Sequence, residues 1–128
     1  MKYRLTTFVA LALIIPASAQ TSDTLEQRAR ALFNEVPLIA GHNDTPWQYR
    51  VRVKNHLDEM DLREDLSQLG RPMHTDIGRL RAGGMGAQFW SVYVPANLTG
   101  ADGVLTTLEQ IDMTRRIVAK YPDVFELA

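Results

Sequence analysis

The chain has 128 residues, with 14 Lys and Arg against 15 Asp and Glu and a formal net charge of −1. A nearly balanced charge without a basic cluster argues against nucleic acid or an anionic membrane surface as a partner. Cysteine is absent, so stability has to come from core burial, with metal binding as a second source.

Lys2 and Arg4 precede an apolar run from Phe8 to Ile15, followed by Pro16 and the small residues Ala17-Ser18-Ala19. This is the layout of a secretory signal peptide over residues 1–19. The run is too short to span a bilayer, which takes about 20 apolar residues. Its removal takes away two basic residues and no acidic one. The mature segment, residues 20–128, is then expected to be secreted or periplasmic, with no membrane segment of its own.

Asp23 followed by Glu26 resembles a capping box, and Leu25, Ala29, Leu32 and Phe33 fall at helical spacing. The pattern predicts an amphipathic helix that stops before Pro37. Pro37 to His42 is a short apolar run closed by glycine, which reads as a buried strand with His42 and Asp44 at its C-terminal end. Residues 48–72 are charged and irregular, with Asp58, Glu59, Asp61, Arg63, Glu64 and Asp65 close together, and read as a solvated excursion.

Thr75 or Asp76 can cap a short helix containing Ile77, Leu80 and Arg81, ended by Gly83-Gly84. Gly86 to Val94 is aromatic and β-branched, stops at Pro95, and reads as a second strand. A longer helix starts at Asp102 or Gly103, with Val104, Leu108, Ile111 and Val118 as its core face, and ends at Pro122. Strand, loop, helix, strand, helix in this order predicts an α/β fold with βα units feeding a parallel sheet.

The chemistry-bearing motif is Gly41-His42-Asn43-Asp44. Residues i and i+2 of a strand point to one side, so the His42 imidazole and the Asp44 carboxylate can converge on a single point. That donor pair suits zinc, manganese or ferrous iron. Taken alone, the pair equally suits a satisfied histidine beside an Asx-turn aspartate that starts a loop. His56 reads as solvated, His74 as a capping or loop residue, and Phe89, Trp90 and Tyr93 as packing residues. Asn97-Leu98-Thr99 matches a glycosylation acceptor.

Residues 37–47, from Pro37 to Trp47, resemble the opening of the membrane (renal) dipeptidase family. His74 to Ile77 and Arg79 to Tyr93 are similar to that family over a long stretch, and Leu108 to Asp112 and Tyr121-Pro122 continue it in order. The resemblance implies a (β/α)8 TIM-type metallohydrolase barrel, of which residues 20–128 form the N-terminal part, with two zinc ions. It implies that His42 and Asp44 bind one zinc, and that a bridging glutamate and two histidines come from beyond Ala128. Glu109 and Glu126 do not match those positions.

The implied activity is hydrolysis of dipeptides by metal-activated water, with the 128-residue chain inactive alone and a homodimer open for the full-length protein. The rivals are a noncatalytic exported scaffold or binding protein derived from the barrel, and another barrel metallohydrolase acting on cyclic amides. The leader reading carries its own test: the protein isolated from its cell should begin at Gln20 by N-terminal sequencing, and a species still beginning at Met1 would refute it.

Overall fold

The structure, a computed structural model, describes residues 19–128. The leader expected over residues 1–19 lies almost wholly outside the described residues. The element order is α1 (Ala19–Glu35), β1 (Leu38–Asn43), α2 (Thr45–Val53), α3 (Ile77–Ala82), β2 (Met85–Trp90) and α4 (Gly100–Lys120), with short 3-10 turns at Leu57–Glu59 and Leu66–Gln68. Helix α1 begins four residues before Asp23, so that residue is not its cap. Its apolar stripe is uncovered: Leu25, Leu32 and Phe33 are all exposed.

Strands β1 and β2 pair in parallel, with Leu38 opposite Met85, Ala40 opposite Gln88 and Asn43 opposite Trp90. The parallel βα arrangement expected from the order of elements is therefore present, as a two-stranded sheet among the described residues. Gly86 is required at this contact. A Cβ placed there would lie 2.6 Å from the Pro37 Cβ, well inside van der Waals contact. Phe89, expected to pack, stands exposed on β2.

The hydrophobic core does not lie over the sheet. Tyr49, Met60, Leu62, Leu66, Met73, Ile77, Met113, Ile117 and Tyr121 form one buried cluster between α2, α3, α4 and the 54–76 connection. The solvated excursion expected at 48–72 is thereby corrected. Its first part is helix α2, and Met60, Leu62 and Leu66 turn inward between charged neighbours that face water. The physical reason is that isolated apolar residues in a loop bury as well as those on a periodic element, provided backbone groups find partners.

Those partners are specific. The Ile77 N–H donates to the Leu62 carbonyl at 2.8 Å, and the Met73 N–H donates to the Leu66 carbonyl at 2.9 Å. Asp76, buried, caps α3 by accepting from the Arg79 N–H at 2.8 Å, and also accepts from the Leu66 N–H at 3.2 Å and from Arg79 Nε at 2.7 Å.

Helix α4 buries Thr106, Gln110, Met113 and Ile117. The expected face was another one: Val104 and Leu108 are exposed, while Ile111 and Val118 are half-buried. Both stripes have helical spacing. The one carrying Thr106 and Gln110 is held inward by Arg50 of α2, which pairs with Glu109, and by Lys120, whose Nζ donates to the Leu57 carbonyl at 3.0 Å.

The Tyr121 hydroxyl ties the end of α4 to the connection. It accepts from the Leu62 N–H at 2.9 Å and donates to Asp61 Oδ1 at 2.9 Å. The Asp61 carboxyl is held below its ordinary value of 3.8, first by the backbone N–H of Arg63 and then by the Tyr121 hydroxyl, Lys120 and Arg63, with burial opposing. The folded value lies below the unfolded one. This stabilisation is therefore full above the ordinary value and lost as pH falls through the folded value.

Tyr121→Phe leaves the buried Leu62 N–H without its acceptor, which costs about 1–3 kcal/mol. The expected outcomes are a lower urea midpoint at neutral pH and an Asp61 carboxyl that titrates higher by NMR. An unchanged midpoint would show that the hydroxyl bridge is dispensable.

Candidate metal centre

Because β1 and β2 run in parallel, their C-terminal ends form one rim, where Asn43 pairs with Trp90. His42 is the penultimate residue of β1, and Asp44 is the single residue between β1 and α2. The His42 Nε2 lies 3.1 Å from Asp44 Oδ1. The convergence expected from i, i+2 spacing is thus present.

The local turn decides how Asp44 is used. Asn43, not Asp44, makes the Asx turn: its Oδ1 accepts from the Thr45 N–H at 2.8 Å and also from the Thr45 hydroxyl. Asp44 occupies the N-cap position of α2 without a side-chain capping hydrogen bond, ahead of Pro46 in the first turn. Its carboxylate is therefore free to face His42. Asn43 Nδ2 also donates to Thr75 Oγ1 at 2.8 Å, which joins the strand end to the start of α3.

Ser91 completes the arrangement from the neighbouring strand. Its N–H donates to the Asn43 carbonyl at 2.9 Å, and its hydroxyl donates to Asp44 Oδ1. The Asp44 carboxyl is held below its ordinary value, first by the Ser91 hydroxyl and then by hydrogen bonding and charge from His42, with burial opposing. An anionic carboxylate beside an imidazole nitrogen is the form in which both groups ligate a metal.

The pair opens into a cleft of about 680 Å³ lined in part by Gln48, Arg52, Arg71 and His74. His74, read from the sequence as a capping or loop residue, is exposed in the loop before α3, where Asp76 supplies the cap. His56 is exposed, as expected. Tyr93 packs edge-on against Trp47 with ring centroids 5.0 Å apart, and Trp90 packs against Phe125 at 5.1 Å, so these two aromatics brace the rim.

A separation of 3.1 Å lets one nitrogen and one oxygen reach a single ion, and this donor set fits zinc. Among the described residues, no group of three or more His, Cys, Asp or Glu side chains comes together. The pair offers two donor atoms, and a catalytic zinc needs at least three protein ligands. Thr75, the alternative to Asp76 as cap of α3, instead accepts from Asn43 Nδ2. Asn43 and Ser91 have roles that the local sequence does not indicate. The available signal for Ser91 was the parallel order of elements, which puts the residue after β2 beside the residue after β1.

Residues 26–128 match the family described as membrane dipeptidase, peptidase family M19. Dipeptidase 3 of Mus musculus is 41% identical over 99 residues, which cover 77% of this chain and 19% of that protein. Dipeptidase 3 of Macaca fascicularis is 41% identical over 108 residues, covering 84% and 21%. Dipeptidase ataJ of Aspergillus terreus is 43% identical over 109 residues, covering 79% and 25%.

The chain thus spans about a fifth to a quarter of the length of the curated relatives it matches. The expectation of a secreted or periplasmic protein is corrected by the match, since the family is described as one of membrane dipeptidases. Among the described residues no helix is long and apolar enough to cross a membrane. With a parallel β-strand rim carrying the His42–Asp44 pair and a family match over residues 26–128, the chain belongs to the membrane dipeptidase family.

Proposed function

We propose that this chain supplies the opening strands of a (β/α)8 barrel in a zinc-dependent dipeptidase, with His42 and Asp44 as ligands of the first of two zinc ions. The observation that carries the proposal is the convergence of His42 Nε2 and Asp44 Oδ1 at the C-terminal rim of two parallel strands. The C-terminal rim is where barrels of this type place their active sites. The dipeptidase relatives support the substrate class.

His42 and Asp44 would hold zinc, which would supply carbonyl polarisation and activation of water at neutral pH. The chain's own residues prepare for that chemistry. Ser91 occupies Asp44 Oδ1 with a donated hydrogen bond and keeps the carboxylate charged. Asn43 fixes the backbone between the two ligands by bonding Thr45 and Thr75. Among the described residues no group of three or more His, Cys, Asp or Glu could hold a metal, so His42 and Asp44 are part of the ligand set that this reading requires.

In the protein as the cell makes it, His42→Ala or Asp44→Ala should remove about one bound zinc and lower dipeptide turnover by more than about 100-fold. Loss of a merely supporting partner costs 10–100-fold. Asn43→Ala keeps both ligands and loosens their mount, so zinc affinity falls by about 10–100-fold while stoichiometry recovers at saturating zinc. Metal analysis and dipeptide turnover check these outcomes. Wild-type zinc content in both ligand variants would show that His42 and Asp44 are structural.

A further inference from the structure

We propose that the mouth of the His42–Asp44 cleft selects dipeptides carrying an acidic side chain, with Arg71 as the recognising cation and Arg52 as its mount. The proposal rests on the dipeptidase reading above and names the substrate class within it.

Among the described residues most arginines face a carboxylate: Arg30 pairs with Glu26, Arg50 with Glu109, Arg63 and Arg81 with Asp123, Arg79 with Asp76 and Arg116 with Asp112. Four do not: Arg28 and Arg115, which do not line the cleft, and Arg52 and Arg71, which do. Arg52 spends its N–H groups on neutral acceptors: Nε donates to Gln48 Oε1 at 2.8 Å, one terminal nitrogen to the Arg71 carbonyl at 2.5 Å and the other to the Pro72 carbonyl at 3.3 Å. The Arg71 guanidinium has no hydrogen bond or ion pair among the described residues. The cleft therefore holds two guanidinium charges against one carboxylate, Asp44, which already faces His42 and Ser91.

The loop that carries Arg71 is fastened on both flanks. Arg52 holds the carbonyls of Arg71 and Pro72. Arg79 Nη2 donates to the Met73 carbonyl at 2.8 Å, and the Met73 N–H donates to the Leu66 carbonyl at 2.9 Å. The backbone at Arg71 is thus fixed while its side chain is exposed and unclaimed. A guanidinium offers a fork of donors matched to a carboxylate.

Every dipeptide has a terminal carboxylate, and a device for that group needs a fork held in one direction. An unclaimed cation on a fixed rim instead suits a group that only some substrates carry: the carboxylate of an aspartate or glutamate side chain.

The test uses the protein as the cell makes it and two substrate pairs, Ala-Glu with Ala-Gln and Glu-Ala with Gln-Ala. Within each pair only the side-chain charge changes. The expected wild-type result is a kcat/KM ratio favouring the glutamate member of one pair by on the order of tenfold, shrinking as salt is raised. Arg71→Gln should bring that ratio to about one, and Arg71→Lys should restore part of it.

A wild-type enzyme active on all four substrates without a glutamate preference would overturn this assignment alone. A fall in Arg71→Gln shared equally by glutamate and glutamine members would also overturn it, placing Arg71 at the terminal carboxylate. A wild-type protein inactive on all four would overturn the dipeptidase reading and this assignment together.

Discussion

Two parallel strands cannot be joined by a tight turn, because the chain has to travel back along the whole sheet before the second strand begins. Here the return takes residues 44–84, and nearly everything else in the structure follows from that detour. The detour contains helix α2, two 3-10 turns and helix α3, and it supplies six of the nine residues of the buried core. It also brings Thr75 and the 70–74 loop back beside the C-terminal ends of the strands, where Asn43 meets Thr75. The rim is thus built by the pairing of β1 with β2, and the cleft wall is the connection that the pairing forces.

Much of this was legible in the sequence because the signals were local. The two strands, a cap at Thr75 or Asp76 and the glycine stop after α3 follow from run length, capping chemistry and turn residues. The first strand, expected over 37–42 and buried, nevertheless runs Leu38–Asn43 with Ile39 exposed, and the second, expected over 86–94, runs Met85–Trp90. The i, i+2 spacing of His42 and Asp44 suggests their facing, although Asp44 lies just past the strand and is oriented by the Asn43 turn and by Ser91. What stayed hidden depends on partners distant in sequence.

Met60, Leu62 and Leu66 are separated by charged residues and show no period, so only the tertiary contacts with Tyr49, Ile117 and Tyr121 reveal them as core. Helix α4 carries two stripes at helical spacing. The buried one contains Thr106 and Gln110, which local hydropathy ranks below Val104 and Leu108. Ser91 acquires its role only once the register sets it beside Asp44.

The site and the core solve different problems with the same devices. In the core, Asp76 satisfies the N–H groups of Leu66 and Arg79 and the Tyr121 hydroxyl that of Leu62, so that a connection rich in polar atoms can be buried. At the rim, Asn43 takes over the turn-forming hydrogen bonds that an aspartate in the next position would otherwise make. That division of labour leaves Asp44 anionic and facing His42 rather than committed to the helix cap.

The contact between Gly86 and Pro37 bears on how freely this chain can vary over evolutionary time. Position 86 sits where the incoming end of β1 crosses the start of β2, with no room for even one methyl carbon. A mutation there does not act as a local packing defect. It levers the two strands apart at their N-terminal ends, and the alignment of Asn43 with Trp90 is then left to the pairs nearer the rim and to the bond from the Ser91 N–H to the Asn43 carbonyl. The missing side chain at one position, four residues along the strand from Trp90, therefore limits which substitutions the N-terminal end of the sheet tolerates.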